Sequence, residues 1–299
     1  MEFGKMPYSR PDMEACKKSI CELTARLEAA ESYDEAKKIF LEYDELQRHL
    51  DTLVNLAYIR HSIDTRDAFY DEEKKFFNNA LPEVEEYNQK WTEALLKSPF
   101  RKEFSEDFGE VLFINAEIAL KSFSPEIIPE LQAESDLTQE YEKLLASAQI
   151  PFNGGVYTIS QIQPFKNDAD DALRLAAWKA EGQWYKDNQE RLDGIYDELV
   201  RLRDTMGKKL GYENYVELGY YRMNRNCYTK DDVEKFRSAV VKYIVPVADK
   251  IYRDQAKRLG KSYPMSFADN ALTFRSGNAK PQGDADAILA QGKRFYDEL

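Results

Sequence analysis

Ser32-Tyr33-Asp34-Glu35, followed by Ala36, Ile39, Tyr43, Leu46, Leu50, Leu53 and Ala57, decides the fold class. The apolar residues recur at alternating steps of three and four. That keeps them on one face of a helix turning every ~3.6 residues, whereas a strand would scatter them over both faces. Ser32 with Glu35 is a capping-box pattern, in which the serine oxygen and the glutamate carboxylate satisfy backbone N–H groups that the first turn leaves unpaired.

The same period extends in both directions. Upstream, Met13, Cys16, Ile20, Leu23 and Leu27 form a stripe with Pro11 near its start, where proline is tolerated. Downstream, Phe77, Leu81, Val84, Trp91 and Leu95 form another that stops at Ser98-Pro99, with Pro82 near the start of that helix or kinking it. Val111 to Lys121 is apolar on both faces and reads as a buried helix. Ser124-Pro125 reads as a cap and a first-turn proline ahead of Leu137, Tyr141, Leu144 and Leu145.

The period then changes. Ile150-Pro151-Phe152 and Val156-Tyr157-Thr158-Ile159 flank Asn153-Gly154-Gly155, and β-formers around an Asn-Gly turn predict a hairpin, with Pro151 on an edge or at a bulge. Helices resume after Asn167-Asp168. Leu192, Ile195, Leu199, Leu202, Met206 and Leu210 form a stripe ended by Gly211, and Thr229 with Asp232 caps a helix carrying Val233, Phe236, Val240, Ile244, Val247 and Ile251. Pro246 should kink that helix and Gly260 end it. Tyr263 to Gly283 reads as loop, and a last helix starts near Asp284. The fold class is therefore mainly α, a multi-helix array with one small β-hairpin. Along the chain we expect an N-terminal helical region at 1–147, the hairpin segment at 148–165 and a second helical region at 166–299.

The 299 residues suffice for one large domain or two ordinary ones, at about 100–200 residues each. The net charge of −12 opposes a nucleic-acid phosphate backbone or an anionic membrane surface, so neither is expected as a partner. Cys16, Cys21 and Cys227 are odd in number and scattered, which argues against a disulfide framework and for a reducing, cytoplasmic location. The N-terminus lacks an apolar signal core, and the most apolar stretch, Val111 to Leu120, is too short to span a bilayer and holds Asn115 and Glu117.

Few residues suggest chemistry. His49 and His61 stand twelve residues apart, about 120° around a shared helix, and do not make an i, i+4 metal pair. Cys16 and Cys21 lack partners for a zinc ribbon, and Cys227 would need a histidine brought to it in space to act as a nucleophile. Asp168, Asp170 and Asp171 lack the central glycine and final glutamate of a calcium loop and read as helix caps. Arg222 and Arg225 lie between Tyr220-Tyr221 and Tyr228 in a short interhelical segment. Arginine beside tyrosine suits a peptide carbonyl or carboxylate, and it equally suits an ion pair tying helices together, the commoner use. We carry both as candidate substrate-binding residues.

One segment adds a resemblance. Leu210-Gly211-Tyr212-Glu213-Asn214-Tyr215, then Glu217-Leu218-Gly219-Tyr220-Tyr221-Arg222-Met223, Arg225, Tyr228, Asp232-Val233, Phe236-Arg237 and Ile244-Val245-Pro246 together resemble the M3 family of zinc peptidases, in the oligoendopeptidase F branch. Phe113 to Leu120 ahead of Phe123-Ser124-Pro125, the hairpin from Phe152 to Gln161, and Gly277-Asn278-Ala279-Lys280-Pro281 are similar to the same branch. The resemblance implies a mostly helical, two-lobed protein with a deep channel, hydrolysing short unfolded peptides inside the cell. It also implies zinc held by an H-E-x-x-H helix and a further glutamate, with the motif's glutamate activating a zinc-bound water.

This chain contains no H-E-x-x-H. The resemblance therefore carries over a family and a substrate class, but no catalytic residue and no metal ligand. No stop signal follows Phe295, so the reading expects the front portion of a zinc metallo-oligoendopeptidase whose C-terminal half, with the zinc motif, is missing. Such a chain alone would be inactive and would expose an apolar face. The competing expectation is a non-enzymatic helical scaffold that binds a partner protein.

Overall fold

The computed structural model describes residues 3–299. In chain order the α-helices are α1 (Met13–Glu28), α2 (Tyr33–Ile63), α3 (Ala68–Lys97), α4 (Arg101–Phe108), α5 (Val111–Ser122), α6 (Ile128–Ala146), α7 (Gln163–Lys166), α8 (Asp171–Asp187), α9 (Gln189–Lys209), α10 (Tyr215–Arg222), α11 (Lys230–Ala239), α12 (Val245–Leu259) and α13 (Ala285–Asp297). Strands β1 (Ile150–Phe152) and β2 (Gly155–Tyr157) stand between α6 and α7. The fold is mainly α with one hairpin, as the periodicity predicts.

The chain divides into two compact units that cut across its linear order. One comprises 1–146 with 190–233, the other 147–189 with 234–299. In the first, α1 to α5 share one core in which Ile20, Ile39, Phe77, Trp91, Phe104 and Phe113 are buried. The long stripe of α2 faces inward as its spacing requires. Tyr43 stacks on Trp91 with ring centroids 4.0 Å apart and planes 11° apart. Ser32 caps α2 by accepting from the Glu35 N–H at 3.3 Å, while the Glu35 carboxylate accepts from the Glu31 N–H rather than that of Ser32. Only half of the capping-box expectation is therefore met.

Three further expectations need correction. Pro82 lies well inside α3, which starts at Ala68 behind an Asp67 cap, not near the helix start. α5 is not buried all round: Phe113, Ala116 and Ile118 are covered, but Val111 is 55% exposed, because the second apolar side of the helix faces open space. α6 buries Glu134 and Gln139 rather than its apolar stripe, and Tyr141 is exposed. There, partners for polar groups decide burial, and an apolar period does not report them.

A smaller core in the same unit joins Phe123, Ile127, Met206 and Leu218, which packs α9 and α10 against the start of α6. α9 ends at Lys209, and Gly211, the expected stop, follows two residues later with φ 86°.

In the second unit the hairpin pairs Ile150 with Tyr157 and Phe152 with Gly155, turning at Asn153 and Gly154 with φ of 47° and 79°. Its inner side meets Ala177 of α8 and Ile162. Asp170 caps α8 by accepting from the Ala172 and Leu173 N–H groups at 2.8 and 2.9 Å, the cap role expected of it. Arg174 is fully buried and donates to the carbonyl of Ala268 at 3.0 Å and to the carboxylates of Asp171 and Asp269. Ahead of Pro246, residues Val240–Ile244 form a π-helical segment, so the proline is accommodated by widening the turn before it. Around it Phe236, Ile244, Val247 and Ile251 are all more than half exposed.

Trp91→Ala should lower the stability of the first unit by about 3–5 kcal/mol, since it empties a buried site and strips the face of Tyr43. Denaturant unfolding followed by circular dichroism measures this, and a loss under ~1 kcal/mol would mean that the α2–α3 seam is not the core described here.

Candidate functional site

The site is built around α10 and the turn that follows it. Asn214 caps α10, its side chain accepting from the Val216 N–H at 2.8 Å. The helix stops at Arg222, and the chain reverses through Asn224, which has φ 49°. The reversal brings the Arg225 N–H onto the Tyr220 carbonyl at 3.1 Å. One residue on, the Asn226 amide donates to the Asn115 side chain of α5 at 2.7 Å and pins the turn there. Thr229 and Asp232 then cap each other at the start of α11, as their spacing predicts.

Between α5, α10 and this turn lies a cavity of about 720 Å³. Ile114, Ile118 and Val216 supply apolar wall, Tyr220, Tyr221 and Tyr228 supply rings, and Arg225, Asn226 and Cys227 come from the turn. α5 gives the cavity Ile114 and Ile118 as apolar wall and Glu117 and Lys121 as charged edge, while exposed Val111 lies outside it.

The two arginines have different surroundings. Arg222 turns away from the cavity and donates to the two Glu134 oxygens at 3.3 and 2.7 Å and to the Tyr215 hydroxyl at 2.8 Å. Arg203 of α9 donates to the same carboxylate at 2.7 Å. Burial pushes the Glu134 carboxyl up, but Arg222 first and Arg203 second outweigh it and hold the group below the usual carboxylate range. Arg225 lines the cavity, its guanidinium carbon 4.4 Å from the ring centre of Tyr220 and 5.7 Å from that of Tyr228.

Zinc, which the resemblance implies, does not fit the residues present. Among the described residues no group of three or more His, Cys, Asp or Glu is placed to hold a metal ion. His49 is exposed on α2. His61, on the same helix, is buried with Asp71 at 3.4 Å, and burial, reinforced by Lys74, pulls its imidazole below the ordinary range. Cys16, Cys21 and Cys227 are unpaired thiols, and no histidine lines the cavity beside Cys227. No helix of the described residues is long and apolar enough to cross a membrane.

Residues 3–123 match the family model described as the peptidase M3 N-terminal domain. All of the chain superposes on a Bacillus anthracis str. Ames oligoendopeptidase F with a TM-score of 0.95 and 40% identity, covering 55% of that protein. The chain belongs to the M3 peptidase family. A second oligoendopeptidase F structure matches all of the chain at TM-score 0.96 and 39% identity, and PZ peptidase A, solved with an inhibitor, matches 99% of it at the same values. In both of these the match covers 53% of the other chain, so the M3 chain described here spans about half the length of the solved structures it matches. No curated protein matches it. The resemblance read from Leu210 to Pro246 is borne out at the level of the family and its oligoendopeptidase F branch.

Two features that support α10 from behind the cavity escape sequence reading. Glu134 lies on a helix whose apolar stripe draws attention elsewhere, and its partners are 69 and 88 residues away. Gly207 sits inside α9, and a Cβ there would come within 2.7 Å of the Asn214 carbonyl oxygen and 2.8 Å of its carbon. This close approach lets α10 start against α9. A glycine in the middle of a good helical stripe is the one signal that could have marked it.

Gly207→Ala should destabilise by about 1–3 kcal/mol through backbone overpacking, although helix propensity alone predicts a gain of about 1 kcal/mol, so the sign of the change in unfolding free energy decides. Glu134→Gln should cost about 1–3 kcal/mol at neutral pH. Because the folded carboxyl is held low, its contribution is present above the ordinary carboxylate range and lost as pH falls through the depressed value. The gap between wild type and E134Q in denaturant unfolding should therefore close on acidification, and a gap that widened would contradict the pairing.

Proposed function

We propose that this chain is the N-terminal part of a cytoplasmic metallo-oligoendopeptidase that hydrolyses short peptides, and that it supplies peptide-contacting wall but none of the chemistry. The observation that carries the reading is the match over 99–100% of its length, at 39–40% identity, to oligoendopeptidase F structures and PZ peptidase A. The same match favours the peptidase over a non-enzymatic protein-binding scaffold. Zinc is held, in this reading, by residues outside the 299 present here, which is consistent with the scattered His, Cys, Asp and Glu residues. The unpaired thiols support a reducing compartment.

Arg225 is the residue of this chain that meets substrate, since its guanidinium faces a cavity wide enough for a few peptide residues. Arg222 is a positioning residue. Held by Glu134 and Tyr215, it fixes the end of α10 from which the Arg225 turn departs.

The test compares this purified chain with the product of the full reading frame to which it belongs, using a quenched fluorescent peptide of about ten residues. Cleavage should occur only with the longer protein and stop on metal chelation. Cleavage by the 299-residue chain itself, or none by either, would overturn the proposal.

A further inference from the structure

The donors of Arg225 are unspent. Among the described residues the only side-chain contacts of its guanidinium are with the rings of Tyr220 and Tyr228, and no carboxylate or carbonyl accepts from it. Rings over a guanidinium cover its flat faces, displace water from them and leave the N–H edge as the reactive part. The backbone beneath it is fixed by the Arg225 N–H on Tyr220 and by the Asn226–Asn115 bond. The fork is therefore held in place before any ligand arrives.

Of the four acids around the cavity, Glu117, Glu213, Glu217 and Asp232, three hold partners close by. Glu117 accepts from Arg101 at 3.0 Å, Glu217 from the Tyr221 hydroxyl at 3.0 Å, and Asp232 from the Thr229 hydroxyl at 2.8 Å. Three cations line the cavity, Lys121, Arg225 and Lys230, and of these Arg225 alone offers a planar fork of donors, held between two rings. Its parallel N–H donors match the two oxygens of a carboxylate, and the apolar wall beside it suits uncharged side chains.

We propose that this cavity binds the free C-terminal carboxylate of a short peptide, with Arg225 as the fork that holds it. This rests on the peptide reading above and deepens it. The parent protein would accept peptides by their free end, which limits substrates to those whose terminus reaches the cavity. An aspartate or glutamate side chain carries the same group, so the test separates the two.

Calorimetric titration of the 299-residue chain uses three versions of one apolar tetrapeptide: the free acid, the C-terminal amide, and the amide with glutamate at its third position. The acid should bind roughly tenfold or more tightly than the plain amide, the size expected for a charge-assisted bond. Arg225→Gln should abolish the difference between acid and amide, R225K should keep part of the preference, and circular dichroism with denaturant unfolding shows whether each variant is folded.

Equal binding of acid and amide, an acid preference that survives R225Q, or no binding of the acid would overturn the proposal. So would a glutamate-bearing amide that equals the acid, which would make the ligand a side chain. Cleavage of acid and amide at equal rates by the full-length parent would sink this inference and leave the peptidase reading standing. Cleavage of neither would sink that reading.

Discussion

One buried carboxylate holds the wall of the cavity together. Glu134 of α6 takes hydrogen bonds from Arg203 on α9 and Arg222 on α10, so three helices from distant parts of the chain meet on two oxygens. Taking a carboxylate out of water is costly unless its charge is matched and its oxygens are bonded, and here both conditions are met. The net direction of its titration, downward despite burial, shows that the two arginines prevail. Without this junction nothing charged would fix the end of α10, and the turn carrying Arg225 would lose its base.

Arg222 and Arg225 show how little residue type settles about role. They are three positions apart, share tyrosine neighbours and have the same reach. A chain reversal at Asn224 separates them, so that one points at a carboxylate in the body of the unit and the other at open space. Both uses that chemistry allows for an arginine beside tyrosines are thus present, one at each position. The cavity has its place for a similar reason: the turn after Asn224 stands off from α5, whose Ile114 and Ile118 form its apolar wall.

The second unit solves the same problem with less apolar material. Its core around Ile150, Ile162 and Ala177 is small, and Arg174 supplements it by satisfying carbonyls and carboxylates of the 268–269 loop from full burial. Along α11, the π-helical segment and α12, an apolar stripe remains in solvent, with Phe236, Val247 and Ile251 each more than half exposed. An exposed apolar face of this kind is the usual mark of a surface made for association.

By itself the sequence determined the helices, the hairpin, most caps and the family. Apolar spacing, Asn-Gly turn chemistry and Ser, Thr and Asp caps act over a few residues, and local rules suffice to read them. The resemblance that named the family is carried by residues 210–246. Tertiary structure alone decided which acids are buried, that Glu134 binds two arginines, that Gly207 must lack a side chain, and that Arg225 rather than Arg222 faces a cavity. Each of these depends on a group brought from elsewhere in the chain or on space left unfilled, and neither leaves a period or a short motif in the order of the residues.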